Sequence, residues 1–275
     1  MRVAFLGPAG TFTEEALLAS APGDAEPVAY PTVYETVMAV HEGSTERALV
    51  PIENSLEGGV AATLDALATE ASDVRIVAEH IHPIHHCLIA RRQIDVGEVT
   101  RVISHPQAMS QCAALLRGDL AHAERASSVS TAEAARAVAE SDEAWAALSS
   151  RLAADLYDCV VLRADVEDSG DNQTRFVWLA PVAEAAPESG DKTSVVFWGF
   201  NDESPGALVN VLRELSDREI NLTRIESRPR RVGLGHYMFF ADLEGGAEEP
   251  QVAEALEALR GRVEELRVLG SYPSA

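Results

Sequence analysis

Lysine is almost absent from this chain of 275 residues: Lys192 is the only one, and arginine supplies the other positively charged side chains. Lys and Arg together number 22 against 44 Asp and Glu, so the formal net charge at pH 7 is −22. Because phosphate contacts need clustered cationic side chains, this balance argues against nucleic acid and against an anionic membrane as partners. The shortage of lysine fits either a GC-rich genome or a salt-adapted surface, and we favour the genome.

Cysteine and long apolar runs are scarce as well. Cys87, Cys112 and Cys159 are odd in number, far apart and without a Cys-x-x-Cys pair, which argues against a disulfide framework or a zinc site. No apolar run reaches the length of a transmembrane helix, and the chain starts directly with a strand-like segment at 2–6. We therefore expect no signal peptide and a cytoplasmic location.

The chain does contain an alternation of short apolar strands with helical patterns before residue 180. Such an alternation predicts an α/β fold with a mainly parallel sheet, or two of them, and with ligands at the C-terminal ends of the strands. Strands are predicted at 2–6, 48–50, 75–77, 84–90, 102–103, 159–162 and 175–179. Helices are predicted from residue 11 onward and at 32–41, 59–68, 107–116, 131–139 and 143–156.

Residues 180–191 indicate a linker, because they are rich in Ala, Pro, Glu, Ser and Gly and have no periodicity. The tail that follows predicts a βαββαβ order, which is that of ferredoxin-like domains. Its elements are expected at 193–198, 206–218, 222–227, 236–243, 250–259 and 263–269. The chain is therefore expected to divide into domains at 1–182 and 192–275.

The first strand is followed by Gly7-Pro8-Ala9-Gly10-Thr11, a turn from a strand into a helix. Such a turn can aim free backbone N–H groups and the positive end of a helix dipole at an anion. The segment lacks the G-x-G-x-x-G spacing of a dinucleotide site and the Gly-Lys of a P-loop. Thr11 and Glu14 have the spacing of a capping box, which by itself accounts for the turn.

Two more polar segments follow predicted strands. Asn54 and Ser55 either cap the next helix or face a ligand at the edge of the sheet. Ser104-His105-Pro106-Gln107 begins another helix, and Gln111 shares a helix face with Gln107. Ser104 and His105 are not expected to act as nucleophile and base, because neighbours in sequence seldom face each other and no G-x-S-x-G motif is present.

Several histidines between residues 80 and 86 suggest a metal-binding segment. In a strand, however, His80 and His82 share one face while His85 lies on the other. A zinc site needs three or four convergent ligands, so we interpret these residues as partly buried strand histidines.

The segment Asp171-Asn172-Gln173-Thr174-Arg175-Phe176 places several hydrogen-bond donors at the start of an apolar strand. In a chain this acidic, an anionic substrate needs a cationic group in a local pocket. The planar guanidinium of Arg175 can hold a carboxylate through two hydrogen bonds. A surface ion pair also accounts for Arg175, but its polar neighbours favour a binding site.

In the tail, Ser204-Pro205-Gly206 predicts a helix start, with Ser204 as N-cap and Pro205 as the first helical residue. A glycine in the next position lets a ligand or a partner chain approach the backbone. Glu226-Ser227-Arg228-Pro229 ends a strand with a charged and rigid segment. Together the two motifs fit an amino acid held between two copies of the domain.

These motifs occur in the order seen in prephenate dehydratases, a family that the chain resembles over essentially its whole length. The matching segments are 7–12, 51–55, 104–107 with 111–112, and 172–176. The tail resembles an ACT domain, with its GALV motif at 206–209 and its ESRP motif at 226–229.

The resemblance implies decarboxylative dehydration of prephenate to phenylpyruvate, a step of phenylalanine biosynthesis, with no cofactor and no metal. It implies a catalytic region of two α/β lobes similar to a type II periplasmic binding protein, with crossings of the chain near residues 75 and 160. It also implies feedback by L-phenylalanine at paired ACT domains, and hence a homodimer or homotetramer.

The resemblance further assigns roles to the motif residues. The residues implied in catalysis are Thr174, in the central role, with Glu53, Asn54, Ser55, Ser104 and Gln111. Those implied in substrate binding are Thr11, Gln107, Arg175 and Phe176. Those implied in phenylalanine binding are Gly206, Ala207, Leu208, Val209, Asn221, Leu222, Glu226, Ser227, Arg228 and Pro229.

Other functions stay open at this point. An arogenate dehydratase shares the same motifs, and kcat/KM for the two substrates separates it from a prephenate dehydratase. A non-catalytic amino-acid sensor on the same scaffold would bind prephenate without consuming it. A secreted solute-binding protein is disfavoured, because no signal sequence is expected.

Overall fold

The computed structural model describes residues 1–184, 190–200 and 204–275. Residues 1–83 form most of a first lobe, in which strands alternate with helices. Its elements are β1 (Arg2–Leu6), α1 (Phe12–Ser20), β2 (Glu26–Tyr30), α2 (Val33–His41), β3 (Arg47–Asn54), β4 (Gly58–Gly59), α3 (Ala61–Ala68) and β5 (Val74–Pro83).

Residues 87–163 form a second lobe of the same kind. Its elements are β6 (Cys87–Ala90), β7 (Arg101–Ser104), α4 (Pro106–Gln111), α5 (Ala113–Arg117), β8 (Glu124–Ser127), α6 (Thr131–Ala139), β9 (Trp145–Ser149), α7 (Arg151–Leu156) and β10 (Val160–Arg163). The chain then returns to the first lobe through β11 (Gln173–Pro181).

The tail contains β12 (Lys192–Trp198), α8 (Ala207–Ser216), β13 (Leu222–Pro229), β14 (Tyr237–Glu244), α9 (Pro250–Arg260) and β15 (Glu265–Tyr272). Its antiparallel sheet has the order β13-β14-β12-β15, which confirms the predicted ferredoxin-like domain. The predicted linker overlaps the end of β11 and a 3₁₀ turn at Val182–Glu184, while residues 185–189 lie outside the described residues.

Each lobe has one mixed sheet. In the first, the order is β2-β1-β3-β11-β5, with β1 parallel to its neighbours and β11 antiparallel to β3 and β5. In the second, the order is β10-β6-β9-β7-β8, with β7 parallel to its neighbours and β6 antiparallel to β9 and β10. The predicted arrangement of two α/β lobes with mainly parallel sheets is confirmed, because most strands of each sheet run in one direction. The reversed strands are β11 and the short β4 in the first sheet and β6 in the second.

The chain crosses between the lobes at 84–86 and at 164–172, later than the expected positions near 75 and 160. The reason is that β5 stays paired with β11 as far as Pro83. A second difference concerns 143–156, which was predicted as one helix. Its first half is β9, whose alanine-rich sequence is buried in the middle of the second sheet, so tertiary packing outweighs helix propensity there.

The start of α8 also differs from the prediction. Gly206, not Ser204, is the N-cap, and its φ of +82° lies in the left-handed region that favours glycine. Gly206 is thus needed for the shape of the turn, rather than as the second residue of the helix.

The tail domain packs on the first lobe through the face of its sheet that its own helices leave uncovered. Val196, Phe240 and Tyr272 from this face share a hydrophobic core with Ile76 and Val177 of the first lobe. The helices α8 and α9 cover a separate core on the other face. In the described part of the chain, no helix has the length and apolar composition to cross a bilayer.

Candidate active site

A cleft of about 330 Å³ lies between the two lobes. The first lobe contributes the turn before α1, the end of β3 and the start of β11. The second lobe contributes the starts of α4 and α6. The polar and aromatic side chains that line it include Thr11, Phe12, Asn54, His86, His105, Gln107, Gln111, Ser130, Thr131, Asn172, Thr174 and Phe176.

The lining of this cleft is electrically neutral apart from its histidines. Among the described residues that line it, none is Arg, Lys, Asp or Glu. The N-terminal ends of α1 and α6 border the cleft from opposite lobes, at 11–13 and at 130–131. The positive ends of these helix dipoles therefore supply the attraction for anions.

Thr174 lies near the start of β11 and is 8% exposed. Because side chains alternate along a strand, Thr174 and Phe176 face the cleft while Arg175 faces away from it. The amide Nδ2 of Asn54 donates to Thr174 Oγ1 at 2.9 Å. No other hydrogen bond of this hydroxyl is present among the described residues, so its own proton can be donated into the cleft.

Asn54 is held in one orientation by the turn that follows β3. Its Oδ1 accepts from the backbone N–H groups of Leu56 and Glu57, at 3.0 and 3.1 Å. The amide nitrogen must therefore point toward β11, where it also donates to Asn172 Oδ1 at 2.9 Å. Asn54 thus fixes the position of Thr174.

The same hydrogen-bond network continues into the second lobe and into the segments at 84–86 and 164–172 where the chain crosses between the lobes. Asn172 Nδ2 donates to Gln111 Oε1 at 2.9 Å, and His86 Nε2 donates to the same oxygen at 3.0 Å. Burial lowers the pKa of His86, although the hydrogen bond to Gln111 opposes this shift, so the imidazole is neutral near pH 7. His86 Nδ1 and Gln111 Nε2 are buried and have no hydrogen-bond partner among the described residues.

Direct contacts hold the two lobes together beside the cleft. Ser150 Oγ at the start of α7 donates to Gly10 O at 2.9 Å, and Tyr157 Oη donates to Ala9 O at 2.9 Å. Gly10 has φ +87°, and a Cβ on it would lie 3.2 Å from Ala153. The turn before α1 therefore both borders the cleft and fastens one lobe to the other.

Two predicted catalytic serines have structural hydrogen bonds and do not line the cleft. Ser104 is fully buried, and its hydroxyl donates to Leu148 O at 2.6 Å, which joins β7 to β9. Ser55 Oγ accepts from the backbone N–H of Gln173 at 3.0 Å and so ties the end of β3 to the start of β11. Among the described residues, neither hydroxyl forms a hydrogen bond with a side chain that lines the cleft.

Arg175 does not have the position that a carboxylate clamp in the cleft requires. It lies on the back of β11, where its guanidinium contacts Asp242 Oδ2 at 2.6 Å, Glu79 Oε2 at 3.2 Å and Glu53 Oε2 at 3.3 Å. Burial disfavours its charge, but the attraction of Asp242 and Glu53 outweighs burial and raises the pKa of Arg175. Arg175 and Glu53 are thus partners in a contact with the tail domain.

Other predicted residues do meet in the cleft, namely Thr11, Asn54, Gln107, Gln111, Thr174 and Phe176. Six of the cleft residues named above were not predicted as site residues, namely Phe12, His86, His105, Ser130, Thr131 and Asn172. His86 was interpreted as a strand histidine, and its place between the lobes becomes apparent only once the crossing is located. Asn172 sits in the polar run before Thr174, and that run was the available signal.

Among the described residues, the histidines at 80–86 do not form a group of metal-ligand geometry with one another. His80 and His82 lie on β5, and His82 Nε2 is 3.3 Å from Glu15 Oε2. Among the described residues, the group with metal-ligand geometry is His85, Asp165 and Glu167, whose ligand atoms lie within 4.8 Å of one another. His85 Nδ1 is 2.7 Å from Glu167 Oε1, and this hydrogen bond raises the pKa of His85.

The tail domain has a pocket of about 430 Å³ at the start of α8. Predicted residues Gly206, Ala207, Leu208 and Val209 line it, together with rings that include Tyr237 and Phe239. The predicted residues of β13 do not line this pocket in the same chain.

Along β13, side chains alternate between the first lobe and solvent. Arg228 faces the lobe and forms two hydrogen bonds with the carboxylate of Asp65, at 2.7 and 2.8 Å. Glu226 faces the same way and pairs with Arg224. Leu222 packs against the core of the tail, and Asn221 donates to Glu244 Oε1 at 2.9 Å. Ser227 and Pro229 are exposed on the outer face.

Comparison with known families finds two matches along the chain. A family model described as "Prephenate dehydratase" matches residues 3–184. A model described as "ACT domain" matches residues 196–261.

Individual relatives match over nearly the whole length. A prephenate dehydratase of Amycolatopsis methanolica is 41% identical over 276 residues, covering 100% of this chain and 89% of the relative. The solved structure of an Arthrobacter aurescens prephenate dehydratase in complex with L-Phe has 37% identity and a TM-score of 0.90, covering 99% of this chain and 90% of that one. A structure described as GqqA, a quorum-quenching acylase, has 32% identity and a TM-score of 0.89, covering 100% and 98%.

Proposed function

This chain belongs to the prephenate dehydratase family, and we propose that the cleft between its lobes converts prephenate to phenylpyruvate under feedback control by L-phenylalanine. The prephenate dianion takes up one proton and yields the phenylpyruvate anion, carbon dioxide and water. Formation of an aromatic ring drives the reaction. The protein has to hold two carboxylates and to help the ring hydroxyl leave.

The observation that carries the proposal is the hydroxyl of Thr174 in a neutral cleft. Since Asn54 donates to Thr174 Oγ1, the hydroxyl proton is the part of Thr174 that can meet the departing oxygen of the substrate. Proton donation by a positioned group is typically worth about 10²–10⁴-fold in rate. The hydrogen bonds among Asn172, Gln111 and His86 fix the positions of Asn54 and of the segments that cross between the lobes. The same three side chains can form further hydrogen bonds with the bound molecule.

The two carboxylates of prephenate are assigned to the two walls of the cleft. The N-terminal end of α1 with Thr11 can receive one, and the N-terminal end of α6 with Ser130 and Thr131 can receive the other. Phe12 and Phe176 supply apolar surface for the ring. Holding the carboxylates on opposite lobes also favours the closed arrangement that excludes water.

Feedback is assigned to the pocket at the start of α8, whose aromatic lining suits a phenyl side chain. The route to the cleft is Arg175, because it sits on β11 between Thr174 and Phe176 and pairs with Asp242 of β14. Ser194 also donates to Asp242 Oδ1, at 2.6 Å. A shift of the tail sheet therefore acts directly on the strand that carries Thr174.

We further propose a cytoplasmic homodimer or homotetramer. Exposed apolar side chains cluster around the pocket and on the outer face of β13, with Val209, Ile225 and Tyr237 54%, 43% and 42% exposed. Pairing of two tail domains through this surface would bring Ser227 and Pro229 of one copy toward the pocket of another. The mass in solution, measured by light scattering at several concentrations, tests this proposal.

The activity is tested by the formation of phenylpyruvate from prephenate by the purified protein, with and without L-phenylalanine. Turnover that phenylalanine suppresses supports both parts of the proposal. Arogenate is the matched alternative substrate, and a larger kcat/KM for arogenate would move the assignment to an arogenate dehydratase. A folded protein that binds prephenate without consuming it would support the sensor instead.

One similar structure carries the description of an acylase. Unrelated chemistries can share a fold, so function has to be argued from the site. Among the described residues, no hydrogen bond joins a histidine of the cleft to a serine, threonine or cysteine that could act as a nucleophile.

A further inference from the structure

A cavity of about 560 Å³ lies where the tail domain meets the first lobe. It shares no lining residue with the cleft between the lobes or with the pocket at α8. One wall is the part of β5 at 75–77, and the opposite wall comes from α9 and β15. Both β5 and β15 are edge strands, and at Gly270 they approach so closely that a Cβ would lie 2.1 Å from Ile76 O.

The charge of this cavity is opposite to that of the whole molecule. Among the described residues that line it are Arg75, Arg260 and Arg267, and none is Asp or Glu. The chain has 44 acidic residues against 22 basic ones, so its surface as a whole repels anions. This junction is therefore a local site of attraction for them.

Arg75 is the cation here whose charge is least compensated. Its guanidinium donates to Ser72 O at 2.7 Å and to Val74 O at 2.9 Å, and no carboxylate of the described residues forms an ion pair with it. Burial and the neighbouring charge of Arg267 lower the pKa of Arg75, and Asp73 offsets them only in part. An anion between the two guanidiniums would relieve this repulsion.

Apolar side chains also line the cavity, with Ile76, Val77, Leu256, Leu266 and Val268 among them. A cavity of this size is within the range of small-molecule sites, which combine an apolar lining with a few polar groups that fix orientation. The combination selects a molecule with an anionic head and an apolar body, rather than an inorganic ion.

We propose that this cavity binds a small organic carboxylate, with the carboxylate between Arg75 and Arg267 and the apolar part against Leu256 and Val268. Such a ligand touches the catalytic region through β5 and the tail domain through β15. It therefore stabilises the packing of the two domains, and it acts at a place separate from the phenylalanine pocket.

The test is titration calorimetry of the full chain with hexanoate, with hexanamide as the uncharged probe of the same shape and inorganic phosphate as the charge without the apolar body. Hexanoate is expected to bind saturably. Hexanamide should bind at least about tenfold more weakly, since a hydrogen-bonded charge contributes about 1.5–3 kcal/mol. Inorganic phosphate should also bind at least about tenfold more weakly, because it lacks the apolar body. Arg75→Gln and Arg267→Gln should each weaken hexanoate binding by about tenfold or more. Arg75→Lys should weaken it less, because the charge is kept.

Arg101→Gln is the matched control. Like Arg267, Arg101 pairs with a neighbouring glutamate and lies over a tryptophan ring, but in the second lobe. It should leave hexanoate binding unchanged. The proposal is overturned if hexanoate does not bind saturably, if hexanamide or phosphate binds as tightly, or if Arg101→Gln weakens binding as much as the cavity variants. None of these outcomes depends on turnover of prephenate.

Discussion

At the scale of single residues, the hydroxyl of Thr174 has one hydrogen bond in the structure and one proton left to give. Thr174→Val keeps the size and the β-branched shape of the side chain but removes that proton. We expect kcat to fall by about 10²–10⁴-fold with little change in KM, because the lost contact forms mainly in the transition state. Steady-state kinetics with prephenate measures both parameters.

Thr174→Ser is the matched control, since it restores the hydroxyl in the same place. It should recover most of the lost kcat. Equal activity of the Val and Ser variants would remove Thr174 from the chemistry, whatever its position in the cleft.

His86 and His85 are neighbours whose pKa values are shifted in opposite directions. The lowered pKa of His86 means that the unfolded chain takes up its proton first, near pH 6.5, so the stability due to neutral His86 is present above that pH and is lost below it. The raised pKa of His85 means that its contribution is present below about pH 6.5 and is lost as the pH rises through the raised value.

Urea unfolding of His86→Gln and His85→Gln at several pH values tests these signs. The gap in the free energy of unfolding between the original chain and His86→Gln should shrink from pH 8 to pH 5. The gap for His85→Gln should grow over the same range. Gaps that change in the same direction for both variants would contradict the assigned environments.

At the scale of elements, the two faces of β11 contact different parts of the molecule. Thr174 and Phe176 border the cleft, while Arg175 between them reaches Asp242 in the tail domain. Asp242→Asn removes one charge from this contact and should uncouple the domains. If the coupling has the usual size of about 1–3 kcal/mol, the phenylalanine concentration that halves the rate should rise about fivefold or more.

Asp65→Asn is the control for that variant. Asp65 also forms an ion pair across the same domain boundary, with Arg228, but it lies on α3, and no hydrogen bond of its side chain among the described residues reaches β11. Feedback by phenylalanine should persist in Asp65→Asn. If both variants lose feedback equally, any weakening of the boundary is sufficient and Arg175 has no special part.

The sequence predicts the elements best where a local signal agrees with the tertiary context. Thr32 and Ser130 are N-caps, and the helices that follow them were predicted to within a residue. β9 could not be separated from α7 in this way, because Trp145 to Ser149 becomes a strand only through pairing with β6 and β7. The edge strands β2 and β8 were missed, because they are largely exposed and lack an apolar pattern.

The candidate site, like the fold, was predicted from the sequence only in part. Residue type alone left Asn54 open between a helix cap and a contact with a ligand, and Gln111 and Thr174 were assigned to the site through the resemblance to a family. The period of two in a strand already separates Arg175 from Thr174 and Phe176, so its absence from the cleft was readable in the sequence. Its partner Asp242 was not, since that contact depends on how the tail docks.

At the scale of the whole molecule, the catalytic region and the tail domain share a hydrophobic core at their boundary, so this part of the boundary is not exposed to solvent. Phe240 and Tyr272 of the tail are almost fully buried together with Ile76 and Val177 of the first lobe. We expect the full chain to unfold in one transition in calorimetry. A chain cut after residue 184 should have a lower Tm and should bind dyes that recognise exposed apolar surface.

The outcome that contradicts this expectation is an unchanged Tm for the shortened chain together with two resolved transitions in the full one. The two domains would then be independent units, and their contact would contribute little to stability.

Because Lys192 is the only lysine of the chain and lies at this boundary, its chemical reactivity can report on the contact between the two domains. Lys192 is 16% exposed and is paired with Glu79, which also contacts Arg175. Amine-directed reagents therefore meet a single lysine, and that lysine is shielded for as long as the tail rests on the first lobe. The rate at which Lys192 is acylated can report when the two domains separate, without any engineered label. Mass spectrometry of peptides measures this rate, because it distinguishes Lys192 from the N-terminal amine of Met1.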